Sequence, residues 1–115
     1  MAVMDLTSSP DPERAEKMNR MAKLLDPSHV WALTPESLEA LFGKVGLPAP
    51  RTTRHRLEVE LEGVIARSFP NPGDDHEVRR MFADSLADDG MALDARRVRD
   101  QIRFAYPVVM LVARR

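Results

Sequence analysis

The 115-residue sequence contains no cysteine, which excludes a disulfide framework and a thiolate metal site. Glycine is scarce, and none of the five is placed to build a phosphate-cradling loop. Charge of one sign is missing too. Lys and Arg total 17 against 18 Asp and Glu, a formal net charge of -1, so the basic excess of a dedicated nucleic-acid binder is absent. No apolar run approaches the ~18 residues of a membrane-spanning helix. No basic stretch followed by a long apolar one marks a signal peptide. The expectation is a soluble cytoplasmic protein of one domain, residues 1–115. The hydrophobic fraction of 43% is what a folded chain requires.

What is present is a sequence of well-punctuated elements. Residues 1–6 are apolar apart from Asp5 and read as a short, fully buried strand. Asp11-Pro12-Glu13 is a helix start: a side-chain cap, a proline suited to the first turn, and an acid at the positive end of the dipole. Ala15, Met18, Met21, Ala22 and Leu25 follow on one face, and Asp26-Pro27 ends a helix over 11–25. Thr34-Pro35-Glu36 repeats the start signal for a helix over 34–46. Its buried face is Leu38, Leu41, Phe42 and Val45, and Gly46 is its left-handed stop.

Alternation then predicts a strand over 51–59 carrying Arg51, Arg54, His55 and Arg56, charges that suit a sheet edge. Val64-Ile65-Ala66 begins a short helix, and Pro70-Asn71-Pro72-Gly73 is a loop. A third main helix covers 74–89, capped by Asp74, with Val78, Met81, Phe82 and Leu86 inward and Gly90 as its stop. Arg96, Arg97 and Arg99 read as a solvated basic turn. The chain closes with a strand over 101–113. Its run Val108-Val109-Met110-Leu111-Val112 is apolar on both faces, the mark of a strand inside a sheet covered by helices. The result is an α/β layered domain with a small three-stranded mixed sheet.

Several of these stretches carry a resemblance. They are Val3-Met4-Asp5, Asp26-Pro27-Ser28-His29-Val30, the helix Leu38 to Leu47 ending in Val45-Gly46-Leu47, and Phe104 to Arg114. In this order and spacing the chain resembles the C-terminal half of class I S-adenosylmethionine-dependent methyltransferases, in the broad bacterial group acting on small molecules. The resemblance implies a partial Rossmann-like fold. The last strand would be antiparallel and inserted between the first strand and 51–59. It also implies that the glycine-rich turn and the ribose-binding acid of the family's cofactor site belong to the half this sequence does not contain.

Candidate site residues follow from the same resemblance. Ser28, His29 and Trp31 would border an acceptor-substrate pocket, with His29 the candidate catalytic group because an imidazole titrates near neutrality. Beside that reading stands a structural one, in which Ser28 and His29 cap or anchor their loop and Trp31 belongs to the core. Asp74, Asp75, His76 and Glu77 are consecutive, so on a helix they fan around the axis and cannot converge on a metal. No cofactor-binding and no metal-binding residue is expected.

The functional expectation is a substrate-side methyltransferase half, inactive alone. It would need a partner chain to supply the S-adenosylmethionine site. The alternative is a non-catalytic ligand-binding or protein-interaction module that retains the partial fold. Either way, association is expected: a homo-oligomer, most simply a dimer, or a complex with a separate cofactor-binding half. A small-molecule acceptor is possible, and neither nucleic acid nor membrane is an expected partner.

Overall fold

A computed structural model describes residues 2–113; Met1 of the expected first strand, and Arg114 of the stretch that carries the resemblance, lie outside the described residues. The elements are β1 (Ala2–Leu6), α1 (Pro12–Leu25), α2 (Pro35–Lys44), β2 (Arg51–Glu60), α3 (Leu61–Arg67), α4 (Asp74–Asp88), β3 (Arg96–Val98) and β4 (Gln101–Val112).

β4 is the central strand. β1 and β2 flank it, both antiparallel, with Leu6 opposite Val108 and Leu57 opposite Tyr106. The last strand therefore does lie between the first strand and 51–60, in the orientation the resemblance implies. A fourth strand joins the three expected, and every pairing is antiparallel, so the sheet is not the mixed one expected. β3 pairs with the start of β4 through a tight hairpin in which Arg99 takes a left-handed conformation, φ 58°. The arginine-rich segment is thus half strand rather than a free turn, because Arg96 is drawn into ion pairs with Glu58 and Asp94.

Pro107 sits in the middle of this central strand, where a missing N–H is ordinarily costly. Its peptide faces β1, and its carbonyl accepts the Thr7 N–H at 2.9 Å, directly after the last β1 pair. The absent donor thus falls where β1 is leaving the sheet. Below that point the Ala105 N–H, on the same side, is taken by the Leu93 carbonyl at 2.8 Å.

Helices cover the sheet unevenly. On one face Ile102, Phe104 and Tyr106 meet α1, α3 and α4, building a core around Met18, Met21, Leu61, Val78 and Phe82. Phe104 is fully buried, 4.4 Å from the Phe82 ring centroid and 5.0 Å from that of Tyr106. On the opposite face Val109, Leu111 and Ala113 meet Leu38 and Phe42 of α2. The radius of gyration, 15.3 Å, exceeds the roughly 13 Å of a compact domain of this length, so the two cores make an elongated body.

Both early helix starts form as the sequence dictates. Asp11 accepts from the Glu13 N–H and Thr34 from the Ser37 N–H, each followed by proline. Gly46 takes φ +76° past the end of α2. Other readings are corrected. α4 starts from Gly73, left-handed and without a side-chain cap, so Asp74 is helical rather than a cap. It ends on Asp89, φ 50°, rather than at Gly90. Leu41 and Val45 are exposed, because α2 meets the sheet only along the narrower Leu38–Phe42 stripe. β1 is largely exposed instead of fully buried: its outer edge is unpaired and no helix covers the face that carries Met4.

Candidate functional site

The loop between α1 and α2 carries all three residues singled out from the sequence, Ser28, His29 and Trp31. It begins with a local knot. Asp26 accepts from both the N–H and the hydroxyl of Ser28, at 3.0 and 2.7 Å, while its carbonyl accepts the His29 N–H at 2.9 Å. The Ser28 bonds hold the Asp26 carboxyl below the usual carboxylate range. Ser28 is therefore committed to the turn.

His29 turns inward to Asn19 of α1, with its Nε2 3.1 Å from the Asn19 Oδ1. Asn19 is fully buried and serves as the hub of the loop. Its amide nitrogen donates to the Ala15 and Ala32 carbonyls, and its oxygen accepts the Ala32 N–H at 2.5 Å. Because the amide nitrogen is occupied as a donor, the oxygen is an acceptor toward the imidazole, and Nε2 of His29 carries the proton. The lone pair then resides on Nδ1. Partial burial lowers the His29 pKa against an opposing pull from Asp26, so the ring is neutral near pH 7. A neutral imidazole fixed by one nitrogen, with a lone pair on the other, has the form of a general base.

Ser8 anchors the far end of the loop. Its hydroxyl donates to the Ala32 carbonyl at 3.1 Å and its N–H to the Leu33 carbonyl at 3.0 Å. Between these anchors the chain presents Val30, 83% exposed, and Trp31, 54% exposed, to solvent. Trp31 is thus outside the core, and the structure sets an apolar, outward-facing pair beside the anchored imidazole. Asn19 and Ser8 went unsingled in the sequence, although one signal exists. Asn19 falls four residues after Ala15 and three before Ala22, on the stripe that the periodicity assigns to the core.

The remaining sequence candidates disperse. Asp75 pairs with Arg79 at 2.7 Å, and Glu77 pairs with Arg80. Arg79 also reaches Glu62 at 2.9 Å, tying α4 to α3. His55 stands on the uncovered sheet face, where Met4, Leu6, Leu57 and Val108 line a shallow, mainly apolar cavity of about 340 Å³.

The described residues do not fit a nucleotide-type cofactor. Such a site needs a glycine turn where a strand gives way to a helix. The one direct strand-to-helix junction here, β2 to α3, is closed by its own acid: Glu60 accepts from the N–H groups of Glu62 and Gly63 at 3.0 and 2.8 Å. Gly46 and Gly73 sit at helix ends, with open space around them.

No family model and no curated relative matches the sequence. Solved structures do match. The YcgJ protein from Bacillus subtilis superposes with a TM-score of 0.82 at 18% identity, covering 99% of this chain and 50% of that one. BH2331 from Bacillus halodurans, assigned as a methyltransferase, gives a TM-score of 0.85 at 12% identity, covering 98% of this chain and 54% of that one. The chain spans about half the length of these proteins. At such identity the likeness is one of fold: an α/β arrangement that reproduces half of a methyltransferase-type structure.

Proposed function

We propose that the chain is the acceptor-side half of a small-molecule methyltransferase, completed by a partner that supplies the S-adenosylmethionine site. The observation carrying this reading is the pairing of near-complete coverage of this chain with about half coverage of the proteins it matches. The bare surfaces of the sheet agree with it. Thr7 pairs with Pro107, so by the antiparallel alternation the peptides of Ala2, Met4 and Leu6 face away from β4. Only the Leu6 N–H is satisfied locally, by the Asp5 carboxylate at 2.8 Å. An open edge beside an uncovered apolar face is suited to receive further sheet and helix.

In this reading the anchored loop presents the acceptor. Trp31 and Val30 supply apolar contact, and His29 Nδ1 takes the proton the acceptor loses when it is methylated. Holding the acceptor in line with the methyl donor is the larger effect, since orientation alone can contribute about 7–11 kcal/mol. The methyl group itself comes from S-adenosylmethionine held by the other half.

A second reading is favoured by the same bare edge: a non-catalytic module that pairs with a second copy of itself or with another protein. Mixing the chain with a co-encoded glycine-turn partner and following S-adenosylmethionine binding by calorimetry separates the two. Binding in the complex, and methyl transfer that falls with His29→Gln, supports the enzyme half. No binding in the complex, together with a stable homodimer of the chain alone, supports the module.

A further inference from the structure

α1 and α4 pack through Met18, Met21, Val78 and Phe82, and beside that contact lies a cavity of about 120 Å³. Its wall includes Lys17 and Arg20 of α1, Asp84, Ser85 and Asp88 of α4, and Gly90. Ser85 is 3% exposed, and among the described residues its hydroxyl is the buried side-chain oxygen without a hydrogen-bond partner. Buried hydroxyls are nearly always paired, so an orphan in the wall of a cavity calls for a ligand or another specific reason.

Gly90 adds a second feature. A Cβ there would come within 3.0 Å of the Asp88 Oδ1 and 3.4 Å of the Lys17 Nζ. The Asp88 carboxylate and the Lys17 ammonium thus both border this point, the carboxylate held there by the Gly90 N–H, which donates to its Oδ1 at 2.9 Å. Lys17 forms no ion pair among the described residues, and Arg20 pairs with Glu16 at 4.0 Å while its charge also acts on Glu77 of α4. Asp84, by contrast, is matched by Arg80 at 3.3 Å. The wall therefore offers the unpaired Lys17, an Arg20 held by Glu16 only at 4.0 Å, the unpaired Ser85 hydroxyl, and the Asp88 carboxylate, one oxygen of which accepts the Gly90 N–H.

We propose that this cavity binds a small zwitterion of the α-amino-acid class. Its carboxylate would pair with Lys17 and Arg20, its ammonium with Asp88, and Ser85 would donate to it. A simple anion would meet Asp88 and a simple cation would meet Lys17 and Arg20. Only a ligand bearing both charges is matched throughout. A volume of about 120 Å³ accommodates a ligand of the size of glycine or alanine.

The test is a titration of the full chain with glycine, acetate and methylammonium, followed by amide resonance shifts and thermal melts. Glycine moves the Ser85 and Gly90 resonances saturably, and the other two do not at equal concentration. Lys17→Met, at an exposed position, weakens the glycine response by at least about tenfold. That variant also separates site binding from the general stabilisation given by excluded cosolutes. Ser85→Ala raises the ligand-free melting temperature and weakens the response. An equal response to acetate, no saturable response to glycine, or an unchanged response in both variants would overturn the proposal.

Discussion

One face of the sheet has two ends that alternate in the same way and fare differently. At the lower end Phe104 is fully buried beneath α1, α3 and α4, with Ile102 and Tyr106 half-buried beside it. At the upper end Met4 and Leu57 are 63% and 52% exposed beside a partly buried Val108. The side chains are equally apolar, so alternation decides which face a residue takes and only helix placement decides whether water leaves it. A burial pattern read from sequence therefore describes the complete sheet environment, and the upper end has the composition of a covered surface without the cover.

The difference is sharpest in stability. Phe104→Ala, at the covered end, costs about 3–5 kcal/mol in urea melts, since it empties the contact with Phe82 and Tyr106. Met4→Ala, at the bare end, changes the isolated chain by no more than about 0.5 kcal/mol. Equal costs at the two ends would break the comparison.

Asn19→Ala comes next, at about 1–3 kcal/mol, because it strands the part-buried Ala32 N–H, whose carbonyl keeps only the Ser8 hydroxyl. Hydrogen exchange at Ala32 should accelerate while that of Phe104 keeps pace with global unfolding. Ala92→Gly acts in the opposite direction. Ala92 holds φ 56° between the buried Met91 and Leu93, and glycine relieves about 1 kcal/mol of that strain, raising the melting temperature.

The smallest effect is a pH dependence. The His29 pKa is lowered on folding, so the unfolded chain binds the proton more readily. Stability is complete above the ordinary imidazole value of about 6.5 and falls as the pH drops from there toward the lower folded value. His29→Gln keeps a donor toward Asn19 and should flatten that part of the pH profile.

Much of the frame was legible because it is written in local chemistry. Asp11-Pro12 and Thr34-Pro35 carry the local signals of helix starts, and Val108 to Val112 read as a strand inside a sheet, while its place between β1 and β2 came from the resemblance. The features that escaped depend on distant partners. β3 exists because Arg97 and Val98 find Ile102 and Gln101 across a hairpin whose turn residue carries no glycine signal. The left-handed Asp89, Ala92 and Asp94 serve to feed Met91 and Leu93 into a core set elsewhere. The candidate loop was found through Ser28, His29 and Trp31, but what holds it, Asn19 thirteen residues before Ala32, is a tertiary fact.

The chain has the fold of about half of a methyltransferase-type structure, and the central proposal is that the cofactor site belongs to the other half. Calorimetric titration of the isolated chain with S-adenosylmethionine tests it most directly. The account predicts no saturable heat. A stoichiometric isotherm from the chain alone would contradict it.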